Sequence, residues 1–255
     1  MKKLKLREKL FYQFDQFQQP KLFHFTSTKK CWGSDRKSRF TGDAVETYLP
    51  FRKELANALD LDLPQLVFPL QNHGTQVQII QEPTNSPDIS ETDALITSQP
   101  GICICVQTAD CVPILLYDPI KAVVAAVHAG WRGTVSQILV KTIQTMQANF
   151  NTNPSDILIG IGPSISQDNY EVGADVIAQV KGQFVNHSDL LKTSKQGKAK
   201  LDLWEANKTL ALKADVLESQ IEIMGLCSYQ EQSLFYSARR DGADTGRMVS
   251  GIMLS

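Results

Sequence analysis

The chain has 255 residues, enough to bury a substantial core in one large domain or two small ones. Its 26 Lys and Arg residues nearly cancel its 27 Asp and Glu residues, so bulk charge argues against a nucleic-acid or membrane-surface protein. The basic first residues lack the apolar stretch of a signal peptide, and no run approaches the ~18 apolar residues of a membrane helix. We therefore expect a globular protein of the cytoplasm.

Hydrophobic periodicity divides the chain into strands and helices. Strands are predicted over residues 22–28, 65–70, 76–81, 94–97, 102–107, 113–117, 122–127, 157–161, 220–225 and 247–254. Helices are predicted over residues 44–60, 135–149, 174–180 and 203–218. Residues 82–90 and 187–200 are predicted as loops, the second one lysine-rich and mobile. The run over residues 122–127 is almost entirely apolar, which indicates a strand buried on both faces.

The links between these elements predict the fold class. Short strand-to-strand links indicate antiparallel pairs, and helices between strands indicate crossovers. No internal repeat and no linker divides the chain. The sequence therefore predicts an α/β (α+β) fold, with a single domain over residues 1–255 in which helices flank mixed β-sheets.

The five cysteines differ in their surroundings. An odd number of cysteines without an export signal favours reduced thiols over a disulfide framework. Cys103 and Cys105 share one face of a predicted strand, and Cys227 follows an apolar run, so these three are predicted to pack in the core. Cys111 instead follows the polar break at residues 107–110 and precedes the next strand, a position where functional groups are commonly presented.

The four histidines separate in the same way. His24 lies inside an apolar strand, which predicts a core residue, and His187 lies in the lysine-rich loop, which predicts a solvated one. His73 and His128 both lie at strand ends with a glycine one or two residues later. Glycine at such a place lets a ligand or another stretch of backbone approach closely.

Two imidazoles and one thiolate form a ligand set that suits Zn²⁺ or copper and leaves a fourth position open for water or substrate. The spacing of His73, Cys111 and His128 contains no short ligand pair, so the residues alone leave other uses open. Cys111 could be the nucleophile of a metal-free hydrolase with His128 as its base. A purely structural zinc site is disfavoured, because such sites usually close with four protein ligands.

Several segments of the chain carry a specific resemblance to a known family. The four main segments read QNHGTQV (71–77), QTADCVPI (107–114), VHAGWRGT (127–134) and GIGPSI (160–165). Supporting segments read TDALIT (92–97), NYEVG (169–173), SARRDG (237–242) and TGRM (245–248). Together they resemble the laccase-domain family of YfiH-like, polyphenol-oxidase-type proteins. The resemblance runs from about residue 66 to the end, whereas residues 1–65 diverge.

The resemblance implies a YfiH-like fold and a metal site. The family's ligands are a His, a Cys and a His in the first three segments, and they fall on His73, Cys111 and His128. Where the family shows an Arg and a Gly-Gly-Val-Ser-like stretch, this chain reads TKKCWG (28–33), so Lys29 or Lys30 would supply the charge. The family's cysteines after the fourth segment are absent here and are therefore not essential to the metal site.

The resemblance further implies a purine nucleoside phosphorylase that depends on one Zn²⁺ per chain. Adenosine, inosine, guanosine and methylthioadenosine are its expected substrates, and adenosine deamination is a possible second reaction. The expected partners are a purine nucleoside and phosphate, without nucleic acid or membrane, in a monomer or small homo-oligomer. Phosphorolysis needs an anion site, and Arg132 at a Gly-rich helix entrance is the first candidate.

Other residues near the three ligands receive expected roles by position. Ordinary zinc deaminases place a Glu two residues after a ligand His, and this chain does not, so Asp110 beside Cys111 is expected to carry the proton in deamination. The remaining candidate substrate contacts are Gln71, Asn72, Arg240 and Arg247. The first two of these could instead orient His73.

Two alternative functions stay open at this point. The family's older name suggests a copper-dependent polyphenol oxidase, but four histidines without an H-x-H pair cannot furnish a multicopper cluster. The other alternative is a Cys-His hydrolase that edits peptidoglycan precursors, because the family has been linked to that process.

Overall fold

The computed structural model describes residues 1–33, 35–42, 44–83, 89–195 and 197–255. These residues form one mixed α/β domain, as predicted from the sequence. The strands are β1 (Lys2–Leu6), β2 (Lys9–Gln13), β3 (Leu22–Ser27), β4 (Leu66–Val67), β5 (Val77–Ile79), β6 (Ala94–Thr97), β7 (Cys103–Thr108), β8 (Val112–Asp118), β9 (Val123–Ala129), β10 (Leu158–Ile161), β11 (Glu171–Val172), β12 (Leu191–Thr193), β13 (Ala199–Leu201), β14 (Ile221–Ile223) and β15 (Met248–Leu254). The α-helices are α1 (Val45–Leu59), α2 (Trp131–Val135), α3 (Ile138–Phe150), α4 (Ala174–Gln183), α5 (His187–Leu190), α6 (Leu203–Lys213) and α7 (Ala238–Asp241).

The strands belong to two six-stranded sheets and one three-stranded sheet. The first sheet has the order β1-β2-β3-β15-β7-β4, the second β14-β10-β8-β9-β6-β5, and the third β11-β13-β12. Most neighbours are antiparallel, whereas β4–β7, β5–β6 and β10–β14 are parallel pairs. This mixture confirms the mixed sheets that the short links and the helical crossovers predict.

The second sheet is buried on both faces. From β8 and β9, Leu115 and Val124 point into a core shared with the first sheet. Ile114 and Val127 on the same two strands point into a second core, which includes side chains of α3 and α6. Because successive side chains of a strand point to opposite faces, two apolar cores require an unbroken apolar strand. This geometry confirms the prediction for residues 123–127, whereas Ala122 is exposed in the turn before β9.

Two predicted helices have different limits in the structure. The helix predicted over residues 135–149 begins at Ile138, as α3, and the separate short helix α2 precedes it. Gln137 between the two helices has a φ of +65°, in the left-handed region. The helix predicted over residues 203–218 ends at Lys213. Asp215, with a φ of +64°, takes the backbone out of the helical conformation.

The prediction of a mobile loop over residues 187–200 is wrong. Apart from Gln196, which lies outside the described residues, this segment forms α5 and the hairpin β12–β13. Leu190 and Ala199 are buried, and β13 pairs with both β11 and β12. Strands of three residues are too short to show an alternating pattern among lysines. In the other predicted loop, residues 84–88 lie outside the described residues.

The N-terminal residues form a hairpin that the sequence analysis did not predict. Strands β1 and β2 pair with Leu4 opposite Phe11, and Phe11 is fully buried. Lys3 and Lys5 of β1 are exposed and alternate with Leu4 and Leu6, so the basic residues conceal the apolar face in the sequence. Within the described ranges, no helix has the length and apolar character needed to cross a membrane.

His24 on β3 is buried in an aromatic environment. Its Nε2 accepts a hydrogen bond from the backbone N–H of Phe14 at 2.8 Å, while its Nδ1 has no partner among the described residues. The rings of Phe14 and Phe17 pack against the imidazole. Burial lowers the pKa of His24 to about 4.

Acid is therefore expected to destabilise the fold through His24. The pKa of an unfolded His is ~6.5, so the unfolded chain takes up this proton first as the pH falls. The contribution is complete above that pH and is lost as the pH falls toward 4, with about 2 kcal/mol lost by about pH 5. Urea unfolding at about pH 7.5 and about pH 5 measures this loss.

The variant His24→Gln stays neutral and can still accept from Phe14. Its free energy of unfolding should fall by about 2 kcal/mol less than that of the wild type between the two pH values. His187→Gln on α5 is the control for loss of an imidazole elsewhere. Equal pH-dependent losses in His24→Gln and the wild type would contradict the prediction.

Candidate metal centre and its cavity

The three predicted ligands come from a turn, a strand end and a loop that meet at one end of the second sheet. Cys111 lies in the turn between β7 and β8, and His128 is the residue before the end of β9. Antiparallel pairing places Pro113 opposite His128, so Cys111 lies beside the end of β9. His73 comes from the loop before β5. The ligand atoms of the three side chains lie within 4.8 Å of one another.

A tight turn presents His73. Its backbone has a φ of +62°, in the left-handed region. Asn72 Oδ1 accepts a hydrogen bond from the backbone N–H of Gly74 at 3.0 Å, as in an Asx turn. A Cβ on Gly74 would lie 2.7 Å from that oxygen, so the turn requires glycine here. Asn72 therefore shapes the backbone that carries His73.

Asp93, which the sequence analysis did not single out as a site residue, holds two ligands in place. Its buried carboxylate accepts from His128 Nδ1 at 2.7 Å and from the backbone N–H groups of His73 at 3.1 Å and Gly74 at 2.8 Å. Burial raises the pKa of Asp93, but the hydrogen bonds from His128 and the backbone outweigh burial and lower it. Nε2 of His128 is then the ring nitrogen available to a ligand. The one feature of the sequence that could have pointed to Asp93 is its position, as an acidic residue directly before the buried strand β6.

The charges in the cluster favour a thiolate. Burial raises the pKa of the Cys111 thiol, but the imidazoles of His128 and His73 outweigh burial and lower the pKa to about 6. Burial lowers the pKa of His128, but Cys111 and Asp93 outweigh burial and raise the pKa to about 9. The protein alone therefore stabilises a thiolate beside an imidazolium. A metal cation can take the place of the imidazolium proton on Nε2 of His128, since thiolate and neutral imidazole are the forms that bind metals.

The donors and the space around them fit a zinc ion. Thiolate and imidazole are the donors that zinc prefers, and three protein donors match catalytic zinc sites rather than closed structural ones. Gly130 keeps the space beside them free. A Cβ at that position would lie 3.0 Å from Cys111 Sγ and 3.1 Å from His73 Cδ2.

The three ligands line a cavity of about 500 Å³, within the range of small-molecule sites. Its lining residues are Gln71, His73, Gln107, Thr108, Ala109, Asp110, Cys111, His128, Tyr170, Ala238, Arg239, Ala243 and Arg247. Of the residues proposed from the sequence, the cavity brings together Gln71, His73, Asp110, Cys111, His128 and Arg247. Its lining does not include Asn72, Arg132, Arg240, Lys29 or Lys30.

Gln71 fixes one wall of the cavity. Its Nε2 donates to the carbonyl oxygen of Gln107 at 2.8 Å, and the N–H of Gln107 donates to Gln71 Oε1 at 2.8 Å. The Gln107 side chain in turn accepts from the N–H of Phe40 and donates to Thr41. The amide of Gln71 thus holds the end of β7, from which the chain continues to Cys111.

Asp110 is held by several donors. Its backbone has a φ of +89°, in the left-handed region, and its side chain is buried. Oδ1 accepts from Ser228 Oγ at 2.6 Å, and Oδ2 accepts from Ser237 Oγ at 3.0 Å and from the N–H of Arg239 at 2.7 Å. Both carboxylate oxygens, expected from the sequence to serve proton transfer, are therefore engaged in structural contacts.

The two arginines proposed first from the sequence have other contacts. The Arg132 guanidinium lies over the ring of Trp131, 4.5 Å from its centroid. Arg240 donates to the carbonyl oxygens of Ser228 at 2.9 Å and Phe235 at 2.9 Å, and to that of Tyr229. It also pairs with Asp241 at 2.7 Å.

Sequence analysis did not select Tyr170 and Arg239, although both line the cavity and lie in the supporting segments of the resemblance.

The other cysteines and histidines lie elsewhere. Cys103, Cys105 and Cys227 are buried free thiols, which confirms their prediction as core residues. His24 lies in the core on β3, and His187 lies on α5. Within the described residues, the one cluster of three or more His, Cys, Asp or Glu side chains suited to a metal is His73, Cys111 and His128.

Fold and site together define a mixed α/β protein with a His-Cys-His cluster in the wall of a cavity. Residues 28–255 match the family described as multi-copper polyphenol oxidoreductase laccase, and the chain belongs to this family. The match confirms the resemblance seen in the sequence.

Curated relatives and solved structures resemble the chain over most of its length. A protein of Bacteroides thetaiotaomicron named purine nucleoside phosphorylase is 37% identical, with 91% of each chain covered. Adenosine deaminase RL5, from an unknown prokaryotic organism, is 39% identical, with 84% of each chain covered. The crystal structure of YlmD from Geobacillus stearothermophilus superimposes with a TM-score of 0.87 at 30% identity, with 96% of each chain covered.

Proposed function

We propose that this protein is a zinc-dependent purine nucleoside phosphorylase, with adenosine deamination as a second reaction of the same site. The observation that carries the proposal is the cluster of His73, Cys111 and His128 in the wall of a cavity of ligand size. The names of relatives that match over most of the chain support a purine nucleoside as substrate. Adenosine, inosine, guanosine and methylthioadenosine are the nucleosides to test.

A single zinc ion is favoured over a multicopper centre. Such a centre needs many imidazoles close together. Of the four histidines in the chain, only His73 and His128 belong to the cluster, whereas His24 and His187 lie on β3 and α5. Three donors that include one thiolate suit one ion with an open position.

The residues of the cavity have distinct roles in this proposal. His73, Cys111 and His128 would hold the ion, and Asp93 keeps His128 in the Nδ1–H tautomer. When bound there, Zn²⁺ would supply Lewis acidity at the cavity wall. Burial and the nearby Cys111 raise the pKa of Tyr170, so its hydroxyl stays protonated and can donate a hydrogen bond to the substrate.

A Cys-His hydrolase is the second candidate, and one contact favours it. Asp93 bonds to His128, and His128 lies beside Cys111, so the three side chains resemble a nucleophile, a base and the residue that orients the base. Such an enzyme would not need the imidazole of His73. The position of His73 within 4.8 Å of the other ligand atoms therefore supports the metal site over the hydrolase.

Product analysis with adenosine, with and without phosphate, tests the proposed function. Metal-loaded protein should release adenine and ribose 1-phosphate only when phosphate is present, with slower formation of inosine that does not need phosphate. Chromatography separates adenine from inosine. Oxygen uptake on phenols after copper loading, without nucleoside turnover, would favour the oxidase. Hydrolysis of a substrate by protein from which a chelator has removed the metal would favour the Cys-His hydrolase.

A further inference from the structure

Arg239 presents free hydrogen-bond donors to the cavity. It lies on α7 and is exposed, and its guanidinium lies over the ring of Tyr170 at 5.0 Å from the centroid. One of its terminal nitrogens donates to the carbonyl oxygen of Glu171 at 2.9 Å. Its other terminal nitrogen and its Nε have no partner among the described residues. This arginine can therefore bind an oxyanion without giving up an existing ion pair.

Neighbouring arginines have less capacity for an anion. Arg240 directs its guanidinium to backbone carbonyl oxygens and to Asp241. Arg247 lines the cavity, but its two terminal nitrogens donate to the carbonyl oxygens of Thr245, Gly246 and Ala243. Arg132 lies outside the lining. Arg239 is the cavity arginine whose fork is least occupied.

Asp110 connects Arg239 to the ligand Cys111. The carboxylate accepts from the backbone N–H of Arg239 and from Ser237 Oγ, and both donors lie at the start of α7. Asp110 also directly precedes Cys111 in the chain. One buried carboxylate therefore sets the position of α7 relative to the turn that presents the thiolate.

We propose that Arg239 binds the phosphate co-substrate and that Asp110 is a positioning residue, which holds Arg239 at a set place relative to Cys111. The proposal rests on the phosphorylase function proposed above. It assigns phosphate to the side of the cavity formed by Tyr170 and Arg239, and the nucleoside to the space between that side and the ligand cluster. It replaces the expectation that Arg132 anchors phosphate and that Asp110 carries a proton.

Substitution of Arg239 tests the phosphate site by two readouts. Initial rates give the KM for phosphate and for the nucleoside, and calorimetric titration with inorganic phosphate gives its Kd without turnover. Arg239→Gln should raise the phosphate KM and Kd about 10- to 100-fold, because a charge-assisted contact is lost. The zinc content should stay unchanged.

Lys192→Gln is the matched control for Arg239→Gln. Lys192 is exposed on β12 and pairs with Asp168 at 3.7 Å, and it does not line the cavity. Its substitution removes one positive charge from the three-stranded sheet whose Glu171 carbonyl accepts from Arg239, and it should leave the phosphate KM unchanged. Unchanged phosphate affinity in Arg239→Gln would overturn the assignment. A tenfold rise in Arg132→Gln instead would return the role to Arg132.

Asp110→Asn tests the positioning role. The amide keeps the shape of the carboxylate but replaces one acceptor oxygen by a donor. We expect the phosphate KM to rise about fivefold or more, by a larger factor than that by which kcat at saturating phosphate or the rate of phosphate-independent deamination falls. A proton carrier would behave differently, since loss of deamination kcat with an unchanged phosphate KM would overturn the positioning role.

Two further measurements keep the test decisive. If Asp110→Asn does not fold, Ser237→Ala removes one donor to the same carboxylate and should raise the phosphate KM in the same direction by a smaller factor. Absence of phosphate-dependent turnover in the wild type would contradict the phosphorylase function itself. Calorimetry would still decide whether Arg239 binds phosphate, so the two failures are distinguishable.

Discussion

Cys111→Ala is expected to remove the metal and the activity together. The zinc content should fall from about one ion per chain to below about 0.1, because Cys111 supplies the anionic donor of the three. Turnover should fall at least about 1000-fold, since Lewis acidity contributes several kcal/mol to lowering the barrier. Elemental analysis of dialysed protein and initial rates with adenosine measure the two effects.

Cys103→Ala is the control for loss of a thiol outside the cluster. Cys103 is fully buried in β7, so its substitution costs some stability but should leave the zinc content near one ion per chain. Added zinc should raise the melting temperature of the wild type and of this control, but not that of Cys111→Ala. A folded Cys111→Ala protein with stoichiometric zinc would contradict the ligand assignment.

The parts of the fold that sequence predicts best are the strands with strong burial. Ala94–Thr97 has its predicted limits, because a strand buried along its whole length shows a sharp change of composition at its ends. The hairpin β12–β13 was missed, because three residues per strand cannot show a period of two. The order of strands in the sheets was not predictable from hydrophobic patterns, since no local pattern encodes which distant strands pair.

The site was predictable only where chemistry restricts the residue type. His73, Cys111 and His128 were proposed as one cluster because thiolate and imidazole at strand ends suit a metal and because the family resemblance marked them. Arg239 was missed in favour of Arg240, because neighbours on a helix point about 100° apart and sequence does not reveal which one faces a cavity. Asp93 was missed because an acid before a strand has many ordinary roles.

Metal removal followed by zinc titration tests most directly whether the chemistry occurs at the cluster of His73, Cys111 and His128. Chelator-treated protein should be folded and inactive in the phosphorolysis of adenosine. Added zinc should restore the rate in proportion, until about one ion per chain is bound. Asp93→Asn provides a graded control. Its amide oxygen can still accept from His128 Nδ1 but carries no negative charge, and its NH₂ group cannot accept from the backbone N–H groups that Asp93 holds, so zinc binding should weaken about 10- to 100-fold without a change in stoichiometry.

The decisive quantity in this titration is the rate of adenine release in the presence of phosphate, plotted against bound zinc per chain. For the wild type, we predict that the rate rises in proportion to bound zinc from near zero and stops rising at about one ion per chain. Asp93→Asn should give the same plot but should need more free zinc to reach one bound ion. A metal-free protein that releases adenine at the full rate, or a rate that does not respond to zinc, would contradict a metal-dependent reaction at this cluster.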